Sequence, residues 1–173
     1  MPSPSAASSV PQMSNPFFAT APDQLPDRDT VLSMSGLEFM HGILGGRIPA
    51  APIARQMEYT LHDVQDGQVT FRGAPGFDQM NPTGTIHGGW YATILDSALA
   101  CAVMTKVPKG SVYTTLELKL NIIRPIPAGM LVDCTGTTQH TGRSTGISNG
   151  TITGVENGKL YATASTTCII MTP

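Results

Sequence analysis

Charge is what this chain is shortest of. Of its 173 residues, 13% are Asp, Glu, Lys or Arg, about half the ~25% usual in a soluble domain. The net formal charge is −2, and no run of basic residues occurs. That excludes the electrostatic footprint of a nucleic-acid binder. No apolar stretch reaches the ~18 residues that a membrane-spanning helix needs. The three cysteines, Cys101, Cys134 and Cys168, lie far apart and form no CxxC. They read as reduced thiols of a cytoplasmic protein. The four histidines are scattered and no acid cluster accompanies them, so neither a metal site nor a bound cofactor is expected. A surface so poor in charge has two readings: a neutral Ser/Thr-rich monomer, or a protomer covered by further subunits.

Proline is unevenly spent. Six of the fourteen prolines fall in residues 1–30, where Arg28 is the one basic residue. This stretch has neither the basic start nor the apolar core of a secretory signal. Residues 1–29 are expected to form a disordered tail and residues 30–173 a single domain.

From Thr30, "TVLSMSGLEFMHGILGG" places apolar residues at helical spacing, with Asp29 or Thr30 as a cap and Gly45-Gly46 as a stop. "GRIPAAPIA" reads as a loop. "RQMEYTLHDVQDGQVTFRG" reads as a hairpin turning at Asp66-Gly67. Trp90 to Met104 holds one charge and no proline or glycine, which predicts a helix wrapped by the rest of the protein. Four β segments follow. The first alternates, with Leu116, Leu118, Leu120 and Ile122 on one face and Thr115, Glu117, Lys119 and Asn121 on the other. The last two are joined at Asn157-Gly158. The predicted class is α+β: a six-stranded, mostly antiparallel sheet curled around one long central helix. Its open edges favour pairing with a second copy.

Asp96 is the anomaly in this pattern. A buried, unpaired carboxylate costs several kcal/mol. It must reach solvent, find donors such as Thr93, or carry a raised pKa and a task. Ahead of it, His87, Gly88 and Gly89 open the helix. Free N–H groups there can hold an anion or polarise a carbonyl, or the glycines serve only a tight turn. His87 and Asp96 are nine residues apart, so they point to opposite sides of one helix. Within one chain they could share a site only if the helix start were distorted; they could also share one where two helices lie antiparallel across a two-fold axis, with Asp96 of one facing Gly88 of the other.

Three segments together carry a resemblance: N-P-x-G-T-I-H-G-G-x-x-x-T-x-x-D-x-A from Asn81, T-T-L-E-L-K-L-N-x-x-R-P from Thr114, and Gly158-Lys159-Leu160. In order and spacing, residues 56–171 resemble the hotdog-fold acyl-CoA thioesterases of the PaaI-like, phenylacetate-degradation branch. The resemblance implies hydrolysis of an acyl-CoA thioester to a carboxylic acid and coenzyme A, the latter as part of the substrate. It implies that Asn81 orients water or the thioester and that His87 lies near the thioester carbonyl or sulfur. The Gly88 N–H would stabilise the oxyanion, and Asp96 would act as general base or nucleophile. A hydroxyl at the next strand would come from Thr115, or from Thr114 after a one-residue shift. For the nucleotide end of coenzyme A the candidates are Arg143, Ser144 and Arg124. Trp90, Tyr91, Met104, Phe77 and Met80 are candidate walls for the acyl group. The family commonly forms homotetramers, so a dimer of dimers is expected. A non-catalytic acyl-CoA binder and an acyl-thioester hydratase or dehydratase are the alternatives on this fold.

Overall fold

The computed structural model describes residues 16–173. Of the expected tail, residues 1–15 lie outside the described residues. From Pro16 on, Phe18 bridges Ala50 and Ala19 is buried.

Where one helix was expected after Thr30, there are two. α1 (Arg28–Leu32) is capped by Asp27, whose carboxylate accepts from the Thr30 N–H at 2.8 Å. α2 (Gly36–Leu44) starts from Ser35 and ends at Gly45. The break has a local cause. The Glu38 N–H donates to Ser35 Oγ at 3.3 Å, and the Ser35 N–H donates to Glu38 Oε2 at 2.8 Å. This reciprocal pair satisfies helix-start donors and favours a fresh start over continuation. A third short helix, α3 (Pro52–Gln56), occupies part of the expected loop, with proline at its first position.

The hairpin is β1 (Tyr59–Gln65) and β2 (Gln68–Gly73), turning at Gly67 with φ +83°. Next comes the long helix α4 (Gly88–Met104), then β3 (Val112–Ile122), β4 (Val132–Thr141), β5 (Thr145–Gly154) and β6 (Leu160–Met171). The strands form one sheet in the order β1-β2-β4-β5-β6-β3, every neighbour antiparallel. β1 and β3 are therefore its edges.

The sheet wraps α4, which touches β2, β3, β4, β5 and β6. Trp90, Ile94, Leu95, Ala98, Leu99, Ala102 and Val103 are buried against it. Burial of each larger aliphatic side chain here is worth ~2 kcal/mol. One stripe stays half-buried: Gly89, Ala92, Thr93, Asp96, Ser97, Cys101 and Met104. Its spacing of three and four residues marks it as the helix face that the sheet leaves uncovered. α2 covers the last turn of that stripe, with the Gly36 N–H donating to the Val107 carbonyl at 2.9 Å.

Close approach of helix to sheet depends on glycine. A Cβ on Gly136 of β4 would lie 2.3 Å from the Ala98 carbonyl oxygen and 2.8 Å from Leu99 Cα, both backbone atoms that cannot swing aside. Gly136→Ala should therefore destabilise the fold by ~2 kcal/mol or more. Thermal denaturation should show a Tm lower by roughly 5 °C or more, and an unchanged Tm would contradict this seating.

Candidate active site

The loop before α4 is built to start the helix. The His87 N–H donates to the Gln79 carbonyl at 2.8 Å and Met80 bridges Ile86. The Asn81 N–H donates to the Thr85 carbonyl at 2.7 Å, and Gly84 turns the chain at φ +81°. Asn81 Nδ2 donates to Thr85 Oγ1 at 3.1 Å, so this amide holds the loop closed on itself. His87 is the helix cap: its Nδ1 accepts from the Gly89 N–H at 2.8 Å. Imidazole here does what Ser or Asp does at most helix starts. The Gly88 N–H has no acceptor among the described residues. A Cβ at Gly88 would meet only Ile122 Cδ1, at 3.6 Å.

Asp96 lies two turns on. Thr115 Oγ1 donates to Asp96 Oδ1 at 3.0 Å, which offsets part of the cost of half-burying the carboxylate. Thr114, the alternative hydroxyl, is exposed. The unbroken alternation expected along β3 is corrected here. Thr115 pairs with Cys168 while Glu117 pairs with Thr167, so Leu116 is an extra, bulged residue that is 61% exposed. A bulge inverts the phase of the strand. Tyr113 and Thr115 consequently face the helix on the same side as Leu118 and Leu120.

Around the carboxylate stand groups that sequence reading did not single out. The Tyr113 hydroxyl meets Cys101 Sγ at 4.0 Å, and the Tyr59 hydroxyl meets Ser97 Oγ at 2.8 Å. Tyr113 sits two residues before Thr115, and Ser97 and Cys101 lie on the open stripe of α4. Those spacings become informative only once the bulge is known. Burial, aided by the nearby negative charge of Asp96, pushes the Cys101 thiol and the Tyr59 phenol each up to about 12. Burial drives Tyr113 and Cys168 upward as well. Asp96 is thus ringed by groups that stay neutral.

Other expected residues divide between the two ends of β3. Gly88 and Asp96 are eight residues apart, ~12 Å along the helix axis. Gly88 lies by Ile122 and Asp96 by Thr115. Arg124 belongs to the Gly88 end, where its guanidinium donates to the Leu160 carbonyl. Arg143 and Ser144 belong to the Asp96 end, because Thr115, Cys168 and Gly146 form one row across β3, β6 and β5. Arg143 lines a cleft of about 640 Å³ with Lys106, His140 and Gln139. Lys106 and His140 were not anticipated. His140 is three residues before Arg143 in the β4–β5 hairpin, whereas Lys106 arrives through tertiary structure, held at 2.8 Å by Asp66. A single chain therefore does not bring the Gly88 N–H and Asp96 to one reacting atom. Trp90 and Tyr91, candidate acyl walls, are core residues at 1% exposure, whereas Phe77 stands 84% exposed. Among the described residues no helix is long and apolar enough to cross a membrane.

The sheet order and wrapped helix are those of the hotdog fold, and the solved structures similar to this chain have that fold. A phenylacetic acid degradation-related protein from Ralstonia eutropha JMP134 matches with TM-score 0.69 and 27% identity, over 76% of this chain and 98% of its own. PaaI from Thermus thermophilus matches at TM-score 0.62 and 24% identity, over 68% and 97%. A hypothetical thioesterase protein from Streptococcus pneumoniae, solved with coenzyme A, matches at TM-score 0.60 and 23% identity, over 66% and 87%. In sequence, residues 83–160 match the Thioesterase superfamily. No curated protein matches. The chain has the hotdog fold, and it is similar in structure and in part of its sequence to thioesterases of the PaaI-like type.

The raised phenol and thiol set an alkaline limit. Tyr59 and Cys101 hold their protons more tightly folded than unfolded, where their ordinary values are near 10 and 9. Their contribution to stability is complete below those values and is lost as pH rises towards about 12. Urea unfolding midpoints should hold steady near neutrality and fall between about pH 9 and 11. A flat profile across that window would contradict the burial of these two groups.

Proposed function

We propose that this protein hydrolyses acyl-CoA thioesters to a carboxylic acid and coenzyme A, at sites that two copies build together. The observation that carries the reading is the division of the candidate residues between two ends of one open helix face. Ala92, small and half-buried, is the midpoint between Gly88 and Asp96. A two-fold axis passing over Ala92 lays two α4 helices antiparallel and puts Asp96 against Gly88 of the partner subunit. The free edge of β3, with Leu116, Ile122 and Ile123 exposed, supports the same pairing by continuing the sheet into the second copy. Dimers associating further into tetramers would cover more of a surface with few charges.

At such a site the thioester carbonyl accepts from the Gly88 N–H at the positive end of its helix. As negative charge builds on that oxygen, one preorganised donor contributes ~3 kcal/mol. Asp96, aligned by Thr115, either takes a proton from the attacking water or attacks the acyl carbon itself. In the second case water then cleaves the resulting anhydride. In both, the C–S bond breaks, the sulfur departs as thiolate and is protonated from solvent, and water supplies the acid's new oxygen. Asn81 and His87 lie beside the Gly88 donor, where they can orient water or the thioester. Arg143, Ser144 and Arg124 offer donors to the nucleotide phosphates. The three free cysteines support a reducing compartment such as the cytoplasm.

Asp96→Asn should lower thiol release by ~10²-fold or more while acyl-CoA still binds. Gly88→Pro removes the proposed donor at a helix position that accepts proline, after a His87 whose ψ of 139° already suits it. Mixing the two inactive variants as unfolded chains and refolding them should restore about a quarter of the activity, through hybrids with one intact site. Absence of recovery would refute the shared site. Undiminished turnover in Asp96→Asn would refute the chemistry. Binding without turnover in the unaltered protein would leave an acyl-CoA binder.

A further inference from the structure

We infer that the acyl group of the substrate is a straight medium-length chain, directed from Asp96 into a separate cavity at the C-terminal end of α4. The inference rests on the thioesterase reading above and names the substrate class of that site. The cavity, of about 190 Å³, is walled by Val31, Met34, Phe39, Met104, Val112 and Tyr113. All six are apolar or aromatic and half-buried, an arrangement that leaves apolar surface unsatisfied unless something covers it. No charged residue lines it, and Ser111, its polar member, has its Oγ in contact with Thr172 Oγ1 at 2.9 Å. It suits a methyl-ended chain and disfavours an acyl group with a terminal hydroxyl or carboxylate.

Its position fixes the length. Tyr113 is two residues from Thr115, the residue bonded to Asp96, hence ~7 Å along the strand. Met104 is eight residues beyond Asp96, ~12 Å along the helix. Both steps run the same way. At somewhat under ~1.5 Å of advance per C–C bond, a chain of eight to ten carbons reaches from the carboxylate into the cavity. A butanoyl group stops short of it, and a phenylacetyl group reaches its Tyr113 wall without filling it. At ~30 Å³ per methylene-sized group, the cavity holds roughly the last six carbons of such a chain. Its roof is fixed, because Gly36 sits so tightly on the Met104 carbonyl that any Cβ there would collide with it.

Thiol release from butanoyl-, octanoyl-, decanoyl-, hexadecanoyl- and phenylacetyl-CoA tests this on the full-length protein. Expected are kcat/KM values highest for octanoyl and decanoyl. Met34→Trp, which fills the cavity from its rim, should cut the ratio of decanoyl to butanoyl kcat/KM by about tenfold. Phe39→Ala should move the optimum to longer chains. A phenylacetyl or butanoyl optimum, or a ratio that neither variant moves, overturns the cavity assignment while leaving the thioesterase reading intact. No release from any of the five overturns both.

Discussion

α4 comes nearest to the sheet where the sheet presents no side chain. Gly136 and Gly150 leave room for the backbone at Ala98 and the side chain of Leu99, and Gly146 does the same for Val103. These three absences, on β4 and β5, fix both the depth and the rotation of the helix. The rotation decides which residues the sheet buries and which remain on the open stripe. Asp96 is tolerable in an otherwise apolar helix because that rotation places it at the border between stripe and sheet, where Thr115 can reach it.

The element order, the wrapped helix, the Asp66-Gly67 turn and the last hairpin were legible because each is written in local pattern: period, turn chemistry and an uncharged run. The Asn81–Asp96 signature was legible as a loop and helix start. Three things were not. The break between α1 and α2 depends on Ser35 and Glu38 exchanging hydrogen bonds, which a hydrophobic count does not register. The bulge at Leu116 leaves no mark on an alternating sequence, since leucine serves equally well inside or out. Lys106 joins Arg143 because the end of α4 is held to the β1–β2 turn by Asp66, a contact between residues 40 apart in the chain.

The chain keeps its donor-rich helix start and its carboxylate at separate ends of β3. Such a division makes sense of a helix that is apolar on every side except one narrow stripe. In the proposed dimer, two such stripes related by symmetry would cover one another and complete two sites at once.

The bulge in β3 also bears on how this strand can change over generations. Replacing a residue in it alters one contact. Gaining or losing one residue between Thr115 and Glu117 would turn Thr115 and Tyr113 to the outer side of the sheet together, taking the hydroxyl from Asp96 and a wall from the cavity at a stroke. Substitution is thus an open road for this segment and single-residue length change a closed one, so variation in β3 is confined to spelling rather than length.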